Sequence, residues 1–342
     1  MASKYAPYAS LFDNPQGPGD ARPTAVKIVE DEGLVDNMTD KVMLVTGCSS
    51  GLGIETAKAL HATGATLFLH VRDLNKGEAV VKDILATSPG KGKIELLRFD
   101  LDSLDSVRAG AADFLKKSDN RLNVLVNNAG VMATPEGKTV DGFETQWAVC
   151  HLAHFLLANL LLPALLASST PAFASRVVNV SSIGHRFVAP NLDDVNFSAG
   201  TKYQPWLAYS NAKTANIWTA NALDRRYGQK GVHALSLHPG GIMTNLQVHV
   251  DPAMMEAWNK PEIKRVMLSP AQGAATQVWA AVGKAWEGKG GKYLEDVQLS
   301  ENVVGASANA SERGHAKWAF DEESEEKCWK ISKEMVGLKE DV

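Results

Sequence analysis

Short apolar segments alternate along most of the chain with longer stretches in which apolar residues recur at helical spacing. The first segment, 41–46, is rich in β-branched residues and is typical of a buried parallel strand. Further strands are predicted at 66–71, 93–99, 124–127, 176–181, 233–238 and 292–294. Helices are predicted before Gly64 and near 74–88, 104–117, 141–169, 208–228, 269–282 and 322–335. This alternation implies right-handed crossovers and predicts an α/β fold, a doubly wound parallel sheet of about seven strands flanked by helices.

A single domain, 39–342, is predicted to follow an N-terminal arm or tail at 1–38. Large apolar side chains occur early in this arm, at Tyr5, Tyr8, Leu11 and Phe12. Leaving them in water would be costly, which favours a packed arm over a loose tail. Segment 244–268 lacks sheet periodicity and is predicted to form short helices and a loop over the sheet edge.

Composition narrows the class of protein. The 342 residues are 45% hydrophobic and 22% charged, as in ordinary globular proteins, which excludes a disordered or fibrous chain. A net charge of -4 gives no electrostatic drive toward nucleic acid. Cys48, Cys150 and Cys328 are too few and too scattered for a disulfide scaffold or a zinc cluster, so a reducing, cytoplasmic location is expected.

Neither a targeting segment nor a membrane span is expected. Residues 1–40 are polar and contain four prolines, unlike a secretory signal. The most apolar stretch, 155–167, is too short to cross a bilayer and contains Asn159 and Pro163. A soluble protein without an integral membrane segment is therefore expected, and peripheral membrane contact stays open.

A glycine-rich loop, Thr46-Gly-Cys-Ser-Ser-Gly-Leu-Gly53, joins the first strand to the first helix. Glycine allows a tight turn and a close approach to a pyrophosphate, and the helix N-terminus offers free N–H groups. The spacing G-x-x-x-G-x-G differs from the commoner G-x-G-x-x-G fingerprint. The loop therefore predicts dinucleotide binding, with a ligand-free tight turn as the alternative.

The end of the second strand bears on the choice between NAD and NADP. An NAD site would have an acidic residue there for the ribose hydroxyls, but this strand ends Leu69-His-Val-Arg72. A guanidinium suits a 2′-phosphate in charge and geometry, and Ser49 and Lys76 are further candidates for that contact. NADP(H) is therefore predicted, with a solvated surface role for Arg72 as the alternative.

Tyr209 and Lys213 lie one turn apart on a predicted helix, in the sequence Tyr-Ser-Asn-Ala-Lys. A phenol has an ordinary pKa of about 10, and a nearby ammonium lowers that pKa. Such a tyrosine exchanges a proton with an alcohol or a developing alkoxide. Other polar motifs follow further strands, namely Asp100-Leu101, Asn127-Asn-Ala-Gly130, Ser181-Ser182 and His238-Pro-Gly-Gly-Ile-Met-Thr244. All of them are expected at the carboxyl edge of one sheet, where open α/β sheets bind ligands.

With these ordered motifs the chain, over about 39–335, resembles the short-chain dehydrogenases/reductases. It is most similar to the retinol-dehydrogenase-like branch and its fungal relatives, through Arg72–Gly77, Pro205–Tyr209 and Gly291–Leu294. The resemblance implies a Rossmann-type fold in a single domain. It also implies an NADP(H)-dependent oxidoreductase that interconverts a ketone or aldehyde and its alcohol by hydride transfer.

By the same resemblance, Ser182 would hydrogen-bond the substrate oxygen and Tyr209 would be the general acid/base. Lys213 would bind the nicotinamide ribose and lower the pKa of Tyr209. The residues expected to bind the cofactor are Gly47, Ser49, Ser50, Gly51, Leu52, Gly53, Arg72, Asp100, Leu101, Asn128, Ala129, Gly130, Tyr209, Lys213, Pro239, Ile242 and Thr244.

One position departs from the family pattern. The run Cys150-His-Leu-Ala-His-Phe155 has Cys150 where most members have an Asn that holds a proton-relay water, and Ala153 where they have Gly. A thiol is a poor substitute in hydrogen bonding, so the relay would use another water or side chain. A reactive Cys150 is the sharper alternative, although a buried Cys is usually inert. A metal at His151 and His154 lacks a nearby third ligand, so packing is expected there and no metal site is predicted.

Several apolar side chains are expected to line the substrate pocket, namely Ile183, Phe187, Trp206, Met243, Met254, Met255 and Trp258. They favour a sizeable hydrophobic substrate and a substrate loop near 244–268, with plain packing of that loop as the alternative. A retinoid, a steroid, a fatty aldehyde and a secondary-metabolite ketone all stay open, and so does a homo-oligomer. The alternative functions are an NADP(H)-binding enzyme with atypical or non-redox chemistry and a non-catalytic cofactor-binding protein.

Overall fold

Eight strands form the central sheet of the computed structural model, which describes residues 3–306 and 312–339. In chain order they are β1 Val42–Val45, β2 Thr66–Val71, β3 Lys93–Arg98, β4 Val124–Asn127, β5 Ser175–Val180, β6 Val232–His238, β7 Lys292–Glu295 and β8 Gln298–Leu299. The spatial order is β3-β2-β1-β4-β5-β6-β7-β8, and every neighbouring pair is parallel except β7 and β8. The predicted doubly wound sheet is confirmed, and its order reverses between β1 and β4, where such sheets open a ligand crevice.

The antiparallel strand β8 was not predicted. It follows β7 through a two-residue turn in which Asp296 and Val297 have φ of 52° and 53°. Positive φ at both central residues matches the twist of a tight hairpin. A second, two-stranded sheet consists of β9 (Val303–Val304) and β10 (His315–Ala316).

Helices cover both faces of the sheet. They are α1 Ala25–Asp31, α2 Leu52–Ala62, α3 Leu74–Thr87, α4 Leu104–Lys117, α5 Thr145–Trp147, α6 Ala153–Ser168, α7 Pro205–Tyr227, α8 Pro252–Trp258, α9 Pro261–Val266, α10 Pro270–Gly273, α11 Ala275–Val282 and α12 Glu322–Met335. One core packs α4, α6, α7 and α12 against the sheet, and the other packs α1, α2 and α11. Pro205 occupies the first turn of α7, which explains why this helix begins before the predicted residue 208.

The predicted helix 141–169 is interrupted. A π-helical segment, Ala148–Leu152, lies between α5 and α6. The stretch Thr145–Ser168 is long and apolar enough to cross a membrane, with a mean hydropathy of 1.9, but 78% of it is buried inside the protein. Because it packs against α4, β4 and β5, it is a core helix.

The N-terminal arm packs on the domain. The Tyr5 carbonyl accepts a 2.8 Å hydrogen bond from Leu299 N, and the Tyr5 ring lies 5.4 Å from that of Trp286. Further along, the Arg22 guanidinium donates to the carbonyls of Val266 and Met267 at 2.9 and 2.6 Å. The arm is thereby attached to the segment that follows α9.

Candidate active site

The predicted site residues come together at the carboxyl edge of the sheet. The glycine loop follows β1, Arg72 follows β2, Asp100 follows β3, Asn128 follows β4 and Ser182 follows β5. Pro239, Ile242 and Thr244 follow β6, while Tyr209 and Lys213 lie on α7. Because neighbouring strands up to β7 are parallel, all these strand ends point to one side of the sheet.

The glycine loop has no room for side chains where it turns. Gly47 has φ of +75°, and a Cβ there would lie 2.8 Å from Ala129 Cα. A Cβ on Gly53 would lie 2.2 Å from the Gly47 carbonyl oxygen. Gly51, with φ of +60°, precedes α2, and no side chain caps this helix. The uncapped N–H groups of the first turn therefore fit a pyrophosphate.

His70, which the sequence analysis did not select, supports this loop. Its Nδ1 accepts a hydrogen bond from Gly47 N at 3.1 Å, so the proton is on Nε2, which donates to the Phe99 carbonyl at 2.9 Å. Burial lowers the pKa of His70 to about 4, so the ring is neutral. It connects the glycine loop to the end of β3.

A second buried histidine, His154, orders the loop after β4. The Thr46 hydroxyl oxygen accepts from Asn128 N at 2.9 Å and Ala129 N at 3.0 Å, so its own proton points to His154 Nε2 at 2.9 Å. His154 Nδ1–H then donates to the Cys150 carbonyl at 3.1 Å. Burial lowers the pKa of His154 to about 3, which keeps the ring neutral.

These contacts bear on whether His151 and His154 could bind a metal. Both ring nitrogens of His154 are used within the protein, and His151 Nε2 lies 2.7 Å from the Ser332 hydroxyl. Among residues 3–306 and 312–339, no group of three or more His, Cys, Asp or Glu side chains is arranged to bind a metal ion.

The strand ends on the β2–β3 side provide charged and apolar groups. Arg72 is exposed, and within the described part of the chain its side chain makes no hydrogen bond or ion pair. Asp100 is half-buried, with its Oδ2 3.8 Å from Arg98 Nη2, and Leu101 is buried. Lys76 is exposed in the first turn of α3.

The Asn128 side chain forms hydrogen bonds with Thr46 and Gln277 within the protein. Its Nδ2 donates to the Thr46 carbonyl at 2.8 Å, and its Oδ1 accepts from Gln277 Nε2 at 3.2 Å. The side chain therefore fixes the loop between β4 and the helix that follows. Its backbone neighbours Ala129 and Gly130 are half-buried at the crevice.

Ser182, Tyr209 and Lys213 are brought together. A Cβ on Gly184 would lie 2.8 Å from Tyr209 Cε1 and 3.5 Å from Ser182 Oγ, so serine and tyrosine meet at this glycine. Lys213 Nζ lies 5.6 Å from the centroid of the Tyr209 ring and donates to the Val180 carbonyl at 3.1 Å. Ser182 Oγ also accepts from Gly184 N at 3.0 Å.

Burial acts on the pKa of Tyr209 in the direction opposite to the lowering expected from Lys213. Tyr209 is only 3% exposed, and burial raises its pKa, opposed by a hydrogen bond with Ser182. Burial also lowers the pKa of Lys213. The ammonium is directed to the Val180 carbonyl, so burial dominates and Tyr209 is a protonated phenol at neutral pH.

Cys150 lies in the π-helical segment beside Lys213. A Cβ on Gly130 would lie 3.4 Å from both Cys150 Sγ and Lys213 Nζ. The thiol donates to the Val131 carbonyl and accepts from Val131 N, each at 3.3 Å. Burial raises the pKa of the thiol, which disfavours a reactive thiolate.

The residues after β6 face the glycine loop. A Cβ on Gly51 would lie 3.5 Å from the Thr244 side chain. Thr244 caps the short helix Asn245–His249, and its backbone N donates to Gln247 Oε1 at 2.8 Å. Ile242 is buried and pairs with Leu268, which anchors the start of the 244–268 segment.

Part of the predicted apolar lining packs directly on Tyr209. The cluster contains Met132, Ala133, Tyr209, Val250, Trp206, Leu246, Met254, Met255 and Trp258. The Trp206 ring packs against three aromatic rings. Its centroid lies 6.0 Å from that of Tyr209, at an interplanar angle of 89°, 6.3 Å from that of Trp258 and 5.9 Å from that of Phe187. Met243 is 38% exposed and, with Ile183, lies outside this cluster. As expected, 244–268 forms short helices, with α8 and α9 among them.

Comparison with known proteins finds relatives over most of the chain. The family model described as short chain dehydrogenase matches residues 41–254. Short-chain dehydrogenase/reductase prx1 of Penicillium roqueforti is 53% identical over 338 residues, covering 98% of this chain and 97% of that protein. Human retinol dehydrogenase 11 is 37% identical over 301 residues, covering 87% and 86%. A crystal structure of an uncharacterized protein from Mycobacterium paratuberculosis is 32% identical with a TM-score of 0.63, covering 87% of this chain and 93% of that one.

Proposed function

Because the chain belongs to the short-chain dehydrogenase/reductase family, in its retinol-dehydrogenase-like branch, we propose that it is an NADP(H)-dependent oxidoreductase. It interconverts a hydrophobic ketone or aldehyde and its alcohol by hydride transfer. The observation that carries this proposal is the meeting of Ser182 and Tyr209 at Gly184, with Lys213 beside them. A protein that only bound a cofactor would have no need of this arrangement.

The bound nicotinamide supplies the hydride for reduction or accepts it in oxidation. The uncapped first turn of α2 binds the pyrophosphate, with Gly47, Gly51 and Gly53 allowing its close approach. Lys213, as in the resemblance, binds the nicotinamide ribose. The remaining cofactor-binding residues have the roles that the family motifs imply.

Reduction suits the protonation state of the site. The Ser182 hydroxyl donates a hydrogen bond to the substrate oxygen, and the protonated Tyr209 phenol gives its proton to the developing alkoxide. Burial strengthens both interactions because little water competes for them. Oxidation needs the reverse transfer, from the alcohol to a Tyr209 phenolate.

Arg72 is proposed to select NADP(H) over NAD(H). It is exposed at the end of β2 and makes no hydrogen bond or ion pair to the described residues, so its planar fork is available to a 2′-phosphate. Ser49 in the glycine loop is half-buried and supplies a hydroxyl on the same side of the sheet.

The substrate is proposed to be neutral, apolar and large. The side chains that pack around Tyr209 are aromatic, aliphatic or thioether groups. Met254, Met255 and Trp258 lie on the short helix α8, where small adjustments adapt the pocket to different shapes. The name retinol dehydrogenase 11 describes a relative that acts on an apolar alcohol, which supports this class. Cytoplasmic location and a homo-oligomer stay predictions.

The test is the oxidation of NADPH by the purified protein, followed at the dihydronicotinamide absorbance band. The panel contains large apolar ketones and aldehydes, each paired with an analogue that carries a carboxylate distant from the carbonyl. We expect turnover with apolar compounds, weak turnover with charged analogues and a preference for NADPH over NADH. The proposal fails if the protein binds NADPH but catalyses neither carbonyl reduction nor, with NADP⁺, oxidation of the corresponding alcohols.

A further inference from the structure

His185 is a fully buried side chain to which the reaction above assigns no role. It lies in the short helix Ile183–Arg186, which begins directly after Ser182. Its Nδ1 is 2.7 Å from the Ser182 carbonyl oxygen, and its Nε2 is 3.1 Å from Ala316 N. The ring also packs against Tyr293, at 4.9 Å between centroids.

The two contacts fix the position of the ring proton. A backbone N–H only donates, so Nε2 accepts from Ala316 and the proton is on Nδ1, which donates to Ser182. The Tyr293 hydroxyl is the next polar atom near Nδ1, but at 3.5 Å it competes weakly. Burial lowers the pKa of His185 to about 3, so one neutral tautomer persists over the physiological pH range.

The segment that contains Ala316 also contacts the helix that carries the other two catalytic groups. Trp218 Nε1 on α7 donates to the Trp318 carbonyl at 2.8 Å, and Asn221 Nδ2 donates to the Ala319 carbonyl at 3.0 Å. Trp318 Nε1 in turn donates to the His185 carbonyl at 3.0 Å. The stretch 315–320 thus connects the Ser182 loop to α7.

We propose that His185 is a positioning residue for the reaction: the hydrogen bond from its Nδ1–H to the Ser182 carbonyl fixes the backbone of Ser182 relative to Tyr209. The Ser182 carbonyl, whose backbone directs Oγ, accepts two hydrogen bonds from His185, one from its backbone N at 3.1 Å and the shorter one from its ring at 2.7 Å. Of the two, only the ring donor is removed by a side-chain substitution. The position of this backbone must be accurate, because the Tyr209 ring already lies so close to Gly184 that a Cβ there would have no space. The inference rests on the proposed function, since it assigns Ser182 a place in that reaction.

Two substitutions separate the contacts of the imidazole. In His185→Asn, the amide N–H₂ occupies a place near Nδ1 and retains donation to Ser182, but the side chain is too short to reach Ala316. In His185→Gln, the amide oxygen reaches toward Ala316 N, and the Ser182 carbonyl loses its side-chain donor and keeps only the backbone N–H of residue 185. His61→Gln is the matched control, because His61 is buried, has both nitrogens bonded within the protein and lies at α2 away from Ser182.

We expect His185→Gln to lower kcat at least tenfold and His185→Asn to lower it less than about threefold. NADPH affinity stays unchanged in both, and the two variants lose similar thermal stability. The control loses stability with kcat unchanged. Equal losses of kcat in the Asn and Gln variants, or none in either, would overturn the positioning role and leave a merely structural histidine.

Crystal structures of the two variants give a readout that does not depend on turnover. We expect Ser182 to keep its position in the Asn variant and to shift away from Tyr209 in the Gln variant. If the wild type turns over no carbonyl, the proposed function fails, yet this displacement still tests the inference. An unmoved Ser182 in the Gln variant contradicts it.

Discussion

Tyr209 and Arg72 have opposite solvent exposure although both lie at the same edge of the sheet. Tyr209 is buried under an apolar cluster, where burial raises its pKa and keeps the phenol protonated. Arg72 is exposed, so water and salt weaken any contact that it makes. We therefore expect substitution of Tyr209 to affect chemistry and substitution of Arg72 to affect cofactor affinity.

Arg72→Asp is expected to weaken NADPH binding about 10- to 100-fold, because it replaces a charge-assisted contact to a phosphate by repulsion. NADH, which lacks the 2′-phosphate, should bind equally well or better. Titration calorimetry with both cofactors measures the change. Lys82→Asp, an equal charge change at an exposed position further along the chain, on α3, is the control and should leave both affinities nearly unchanged. A wild type that binds NADH as tightly as NADPH would show the assignment to be wrong.

Cys150→Ala is expected to retain activity within about tenfold, because the thiol is buried, protonated and hydrogen-bonded to the backbone of Val131. Cys150→Asn places an amide beside the same N–H and carbonyl, which are suitable partners for it, at a packing cost of ~1–3 kcal/mol. Steady-state rates and denaturant unfolding are measured together. A thousandfold loss in a folded Ala variant that binds NADPH normally would make the thiol part of the chemistry.

At the level of elements, most strands from β1 to β7 were predictable because they are short, mainly apolar runs bounded by turn residues, while the edge strand β3 alternates charged and apolar residues over part of its length. The π-helical segment was not, because its apolar pattern continues without a break from α5 into α6. Strand β8 has two residues, too few for a period. Helix α1 was also not predicted, because it lies in the arm, where prolines and polar residues obscure a helical pattern. Its N-cap, Thr24, is a residue type typical of a helix start.

The N-terminal arm stabilises the fold through the contacts of Arg22. Arg22 is buried, pairs with Asp20 at 2.8 Å and donates to the Val266 and Met267 carbonyls. Arg22→Leu is expected to lower the free energy of unfolding by about 3 kcal/mol, because it removes the buried ion pair with Asp20 and leaves the two carbonyls without this donor. Denaturant titration measures this loss. Lys27→Ala removes an exposed pair with Asp31 and should change little, and equal effects would contradict the importance of burial.

For the whole molecule, the convergence of the site was predictable because each motif follows a strand and parallel strands end at one edge. The supporting histidines His70, His154 and His185 were not. Their partners, at Gly47, Phe99, Thr46, Cys150 and Ala316, are distant along the chain or are backbone groups that no residue pattern marks. The burial of Tyr209, which raises its pKa, was not predictable either, because sequence shows the neighbouring lysine but not the depth of burial.

Hydride transfer to carbon is the central claim, and isotope transfer tests it most directly. NADPH carrying deuterium at C4, on each face in turn, is incubated with the protein and an apolar ketone or aldehyde of the panel, and the alcohol is examined by mass spectrometry. We predict deuterium on the former carbonyl carbon from one face only, with about 10²- to 10⁴-fold slower transfer in Tyr209→Phe at similar NADPH affinity. Tight NADPH binding with no label in any product, or undiminished transfer by the Phe variant, would contradict the account.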